Sequence, residues 1–207
     1  MSVITTEGMM KAINNMADII IENEVYFCEL DSVAGDGDFG MSVSKGFKQL
    51  KEEWDDLSQE TIGSFLKDAG MIITEYCGGA SGPIWGSAFR AMGKYAKDKD
   101  SLTVKELGEM LDAAVAGIQK RGKAQLGDKT LLDALIPTAE AVKSADETLS
   151  VREAFTEGAK AARLGAEKTK TMVASKGRAS YVGERSLEHP DAGAMALGVI
   201  FTEMMNR

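Results

Sequence analysis

The chain is poor in the side chains that bind soft metals or cross-link a fold. Its 207 residues hold two cysteines, Cys28 and Cys77, and one histidine, His189. Two cysteines cannot build a disulfide framework and fit a reducing compartment. So few nitrogen and sulfur ligands argue against a zinc site, and a lone histidine singles out no Ser-His-Asp arrangement. Positive charge is also short. Lys and Arg number 24 against 32 Asp and Glu, a net charge of −8, so nothing draws the chain to nucleic acid. No apolar run approaches the ~20 residues that cross a bilayer. The first residues lack a basic stretch followed by an apolar core, so no secretion signal is expected and the cytoplasm is the expected location. Low-complexity segments and clear internal repeats are absent as well.

What remains is an ordinary globular composition, 44% hydrophobic and 27% charged, and one domain over residues 1–207 is expected at roughly 100–200 residues per domain. Apolar spacing is helical nearly throughout. Met9, Ile13, Met16 and Ile20 fall on one helical face, as do Val43, Phe47, Leu50 and Trp54. Ile62, Phe65, Ala69, Ile72 and Tyr76 form a longer stripe, and Ile84, Ala88, Ala91 and Tyr95 another. Thr103 with Glu106, and Ser150 with Glu153, have capping-box spacing and open helices carrying Leu107, Leu111, Ala114, Ile118 and then Ala154, Ala159, Ala162. Leu131 to Val142 reads as a helix that Pro137 kinks, and Asp191 is placed to cap the last one. The reading is all-α, with eight helices; only Glu24 to Leu30 is arguable as a strand.

The connections fall into two kinds. Asp55 to Gln59, Lys97 to Leu102 and Lys143 to Leu149 are short and polar. Asp31 to Gly40, Cys77 to Pro83, Arg121 to Lys129 and Met172 to Pro190 hold the glycine-rich and unusual sequence. In an up-and-down helical array every second connection lies at the same end. The four unusual loops then converge on one rim, where a site is expected.

Asp31, Asp36 and Asp38 place three carboxylates within eight residues, spaced by small residues. Such carboxylates repel unless a cation lies between them, and all-oxygen ligands suit Mg²⁺, Mn²⁺ or Ca²⁺; the plainer reading is a solvated acidic turn. Gly35-x-Gly37-x-x-Gly40 imitates a dinucleotide fingerprint, but its aspartates would repel a pyrophosphate unless a metal intervened. An EF-hand fails because Gly40 would occupy its fifth position. Gly78-Gly-Ala-Ser-Gly-Pro83 leads into a helix and suits either an anion cradle or a tight helix–helix corner. Gly117 to Ala124 resembles a P-loop, but Ala124 replaces the metal-binding hydroxyl and no strand precedes it. The Gly127-Asp-Lys-Thr130 that follows either closes over a ligand or is a solvated capped loop. Lys176 to Ser186 is a basic loop suited to phosphate through Arg178, or else a charged connector. Together the loops read as a magnesium–nucleotide site.

Four motifs in order carry a family resemblance over essentially the whole chain: Gly-Asp-Gly-Asp, Gly-Gly-Ala-Ser-Gly-Pro, Arg-Gly-Lys-Ala-x-x-Gly-Asp-Lys-Thr and Lys-Gly-Arg-Ala-Ser-Tyr-x-Gly-Glu-Arg-Ser. The chain resembles the L subunit of bacterial dihydroxyacetone kinase, a domain that also forms the C-terminal half of single-chain, ATP-dependent kinases. The resemblance implies an all-α up-and-down barrel of eight antiparallel amphipathic helices with ADP or ATP and Mg²⁺ at one rim. It implies that Asp31, Asp36 and Asp38 are metal ligands, and that these and Arg178 act in catalysis. It places Phe39, Gly40, Met41, Ser42, Gly79, Ala80, Ser81, Gly122, Thr130, Leu131, Arg178, Asp191 and Gly193 around the nucleotide. It implies as partners a K subunit that binds the triose and an M subunit that carries phosphohistidine, with a homodimer also possible. The family usually has histidine where this chain has Phe39, which cannot hydrogen-bond a phosphate. That departure leaves two other readings open: a subunit of an ATP-using kinase for another ketose such as erythrulose, or a nucleotide-sensing module without chemistry.

Overall fold

The computed structural model describes residues 2–207, and among them nine α-helices are found. They are α1 (Thr6–Glu22), α2 (Glu24–Ser32), α3 (Phe39–Glu52), α4 (Ile62–Tyr76), α5 (Ser81–Ala96), α6 (Val104–Gly122), α7 (Leu132–Lys143), α8 (Val151–Lys168) and α9 (Ala192–Asn206). From α3 to α9 each packs on the next, and α1 closes the ring between α9 and α3. Because α2 also packs on α3 and α9, α1 and α2 share one place in the ring. The eight positions expected from the apolar periodicity are therefore present, the first of them broken in two. The break falls at Asn23, whose side-chain amide donates to the Ile19 carbonyl at 2.9 Å and ends α1.

The stretch from Glu24 to Leu30, arguable as a strand, is helix. Val25 and Tyr26 are exposed and Phe27 is buried, so a single anchor carries the segment and neither period is written into it. Two short strands do occur elsewhere. β1 (Val3–Thr5) and β2 (Ser101–Thr103) pair antiparallel with Ile4 opposite Leu102, and each runs straight into a helix.

The predicted stripes face inward. Met9, Ile13, Met16, Ile20, Val43, Phe47, Leu50, Ile62, Phe65 and Ala69 are all buried. Phe47 meets Trp85 and Phe89 edge-on at centroid distances of 5.9 and 6.1 Å, a geometry that favours aromatic pairs. Pro137 lies inside α7 without ending it. Proline has no N–H to give the carbonyl four residues back, which is that of Asp133. A Cβ at Gly165 would sit 2.0 Å from that carbonyl oxygen, so the bare glycine lets α8 press against α7 there.

The two ends of the ring start their helices differently. At the end with the plain loops, Thr5, Thr61, Thr103 and Ser150 cap α1, α4, α6 and α8 through their hydroxyls, the last three as reciprocal capping boxes. At the other end α3, α5 and α7 begin without a side-chain cap, and only α9 has one, from Asp191 to the amide of Ala194 at 2.8 Å.

Candidate functional site

The four unusual loops meet at that second end around a cleft of about 390 Å³, a size suited to a small organic ligand. The first loop follows α2. Gly37, at φ +74°, turns the chain so that its N–H donates to the Asp31 carboxylate at 2.9 Å. Asp31, Asp36 and Asp38 thereby bring one oxygen each to within 4.8 Å of one another. Negative charges so close favour a cation beside them, and carboxylates alone suit a hard divalent ion. Arg178, from the fourth loop, forms an ion pair with Asp36. Phe39 opens α3 at the edge of the cleft and packs on Phe27, ring centroids 6.2 Å apart. The position serves as an apolar contact with α2.

The second loop is tied to α3 by the Gly78 N–H, which donates to the Ser42 carbonyl at 2.9 Å. Gly79 then takes φ +52° with open space where a Cβ would stand. The amides of Gly79 and Ala80 donate to no protein acceptor among the described residues, and they lead into the uncapped start of α5. Backbone N–H groups at a helix start attract anions. The apolar side chains of Leu30, Ile84, Ile118 and Leu131 also line the cleft and suit a planar ring.

The third loop is held by Asp133, whose carboxylate accepts the N–H groups of Gly127 at 2.6 Å and Thr130 at 2.7 Å. Lys129, at φ +61°, is buried, and its ammonium donates to the carbonyls of Met172, Ser186 and His189. Burial pulls its pKa below the usual lysine value against the opposing charge of Asp191. Asp191 is pushed the other way, up to about 7, by burial and the charge of Asp133, with the amide of Ala194 and Lys129 opposing. His189 contributes its carbonyl.

Of the residues expected at the site, Asp31, Asp36, Asp38, Phe39, Ser42, Gly79, Ala80, Ser81, Gly122, Thr130, Leu131, Arg178, Asp191 and Gly193 all line this cleft. Gly40 and Met41 do not. A Cβ at Gly40 would stand 1.9 Å from the Glu24 carbonyl oxygen, so this glycine is a packing point against α2. Met41 is exposed, and its N–H donates to Cys28 Sγ at 3.3 Å. Sequence reasoning did not assign Lys129 or Asp133. The signal for Lys129 was the Gly127-Asp-Lys-Thr130 stretch, whose bonding only the closed ring reveals; Asp133 lies beyond it in the first turn of α7.

A ring of helices with a carboxylate triad, free amides and an arginine around one cleft defines a class: all-α proteins whose polar loops gather at one rim. The particular family is shown by comparison, and the chain belongs to the DAK2 domain family, which matches residues 33–206. It is 35% identical over 196 residues to the ADP-binding subunit DhaL of PEP-dependent dihydroxyacetone kinase 1 of Listeria innocua, covering 95% of this chain and 93% of that protein. It is 38% identical over 181 residues to the ADP-binding subunit DhaL of the PEP-dependent dihydroxyacetone kinase of Escherichia coli K12, covering 87% and 86%. The fold matches the crystal structure of the C. freundii dihydroxyacetone kinase in complex with AMP-PNP and Mg²⁺, with a TM-score of 0.76 at 22% identity. That match covers 96% of this chain and 33% of the larger kinase. Among the described residues no helix is long and apolar enough to cross a membrane.

Proposed function

We propose that the chain is the nucleotide-carrying subunit of a dihydroxyacetone kinase, binding ADP or ATP with Mg²⁺. The observation that carries this is that Asp31, Asp36 and Asp38, with their oxygens grouped, line the same cleft as Gly79 and Ala80, whose amides have no acceptor among the described residues. The three aspartates would hold the metal, which supplies charge neutralisation for the phosphates. The amides of Gly79 and Ala80 and the start of α5 take phosphate oxygens, and Arg178 adds a planar donor for phosphate charge. Leu30, Ile84, Ile118 and Leu131 receive the base.

A phosphohistidine-bearing partner recharges the bound ADP, and a separate subunit holds dihydroxyacetone for in-line transfer. Support comes from the names of the relatives that match nearly end to end, which are ADP-binding subunits of PEP-dependent kinases. The exposed Leu126, Val173 and Tyr181 on the loops beside the cleft suit a docking partner. By itself the chain turns over no ketose.

Calorimetric titration with ADP, first with Mg²⁺ and then with EDTA, tests the binding. Tight binding that EDTA abolishes is expected; no binding in either condition overturns the reading. Addition of triose-binding and phosphohistidine subunits of a relative then tests the transfer. With the chain loaded with ADP and the phosphohistidine subunit supplied in its phosphorylated form, dihydroxyacetone phosphate is expected only when both are present.

A further inference from the structure

The Gly-Asp-Lys-Thr stretch puts a lysine into a cleft read here as a phosphate site, and the obvious role for that lysine is to touch phosphate. The bonding denies it. An ammonium has three N–H donors. Those of Lys129 go to the carbonyls of Met172 at 3.1 Å, His189 at 2.8 Å and Ser186. The side chain is 2% exposed, so no donor is left for a ligand.

All three acceptors belong to the segment that joins the short turn after α8 to α9. Met172 stands at its beginning, Ser186 and His189 near its end. Both feet of the segment therefore rest on one nitrogen, beside a direct bond between them from the Ala174 N–H to Ser186 Oγ at 3.0 Å and a tie of the second foot from the Glu188 N–H to the Lys170 carbonyl at 2.8 Å. Ser175 adds a second tie at the first foot, its hydroxyl donating to the Asp128 carboxylate at 2.6 Å. Between residues 176 and 185 the hydrogen bonds stay within the segment, Ser180 to Gly177 for example. Among the described residues the sole ion pair from that stretch to the rest of the protein is that of Arg178 with Asp36. Where Arg178 stands is thus decided by where the feet stand. Closing the feet on one point also removes much of the entropy of the intervening chain.

We infer that Lys129 is a positioning residue, a peg that clasps both feet of the 172–190 segment and so holds Arg178 over the acidic turn. The inference rests on the metal–nucleotide reading of the cleft. It predicts an effect that a merely damaging substitution does not produce. With the guanidinium off Asp36, the carboxylate triad loses a competing cation and binds a metal ion more tightly.

The test compares Lys129→Met, Arg178→Ala and the double variant with the parent. Mn²⁺ binding to nucleotide-free protein is read by electron paramagnetic resonance, and MgADP binding by calorimetry. Both single variants are expected to bind Mn²⁺ several-fold more tightly. Both are expected to bind MgADP at least tenfold more weakly, and the double variant no more than twofold worse than the weaker single one. Trypsin is expected to cut Lys129→Met much faster at Lys176, Arg178 or Arg185 while its helical signal is kept. Unchanged Mn²⁺ affinity in Lys129→Met beside a gain in Arg178→Ala overturns the inference, as do fully multiplicative losses of MgADP affinity. If no variant and no parent binds Mn²⁺, the metal reading falls, and the trypsin result alone decides the peg. If Lys129→Met does not fold, the parent answers through its Lys129 ¹⁵Nζ resonance. A slowly exchanging ammonium signal before any ligand is added is expected, and its absence overturns the peg.

Discussion

At the scale of single residues the acidic turn sets the proposed ligand role against the stability of the fold. Asp31, Asp36 and Asp38 crowd their oxygens within 4.8 Å, and that repulsion is relieved only in part by Arg178. Asp38→Asn is expected to weaken magnesium-dependent ADP binding at least tenfold while leaving urea stability unchanged or higher, the trade seen where sites are strained. Phe39 poses the opposite case. Phe39→His is expected to cost about 1 kcal/mol of stability through the lost contact with Phe27, and to tighten MgADP by returning a donor to the rim. Calorimetry and urea melts on the same samples separate the two effects.

Asp191 carries a sign. Its folded pKa, pushed up to about 7 by burial, exceeds that of an unfolded aspartate near ~3.9. The folded state thus holds the extra proton between those values, and the contribution to stability falls as pH rises through that window. Asp191→Asn keeps an N-cap and is expected to remove that share of the difference in stability between pH 5 and pH 8. The carboxylates, the glycines and Arg178 were legible as residues because their types and spacing state their chemistry. Lys129 was not, since a lysine's partners lie in segments that only the closed ring brings together.

At the scale of elements, legibility followed the length of the pattern. Helices with a full apolar stripe were readable one by one. α2 was not, with Phe27 its one buried residue, and neither were two strands of three residues. The boxes at Thr103 and Ser150 were visible because glutamate stands three residues on. The box at Thr61 was hidden because Ser64 plays that part, its hydroxyl 3.2 Å from the Thr61 amide. Glu106 is held down to about 2 by hydrogen bonds from Lys99 and from the Thr103 amide and hydroxyl. It therefore stabilises the fold above the ordinary glutamate range and ceases to as pH falls toward 2. Glu106→Gln is expected to flatten that part of the acid limb in a pH series of urea melts. Gly165→Ala would drive a methyl into the Asp133 carbonyl. A loss of about 1–3 kcal/mol is expected from such overpacking, again read by urea melts.

At the scale of the whole molecule the ring does one thing for the site: it puts every second connection at the same end. That was readable from the contrast between plain and glycine-rich loops. Which side chains face the cleft was readable only in part, as Gly40 and Met41 show. Ligand binding to the folded state alone raises stability by mass action, about 2.7 kcal/mol at a hundredfold excess over Kd. MgADP is accordingly expected to raise the melting temperature, and EDTA to return it to that of the free chain.

The unequal helix starts have a consequence for how the molecule breathes. Where serine and threonine close α4, α6 and α8, the first amides are covered in every state of the protein. Where α5 begins without a side-chain cap, the amides of Gly79 and Ala80 that lead into it stay open to an acceptor from outside the chain. On the proposed reading the nucleotide is the cap of that helix, its phosphate oxygens standing where serine and threonine stand at the other end. The stability of the first turn of α5 would then follow the occupancy of the cleft, while the first turns of α4, α6 and α8 would not.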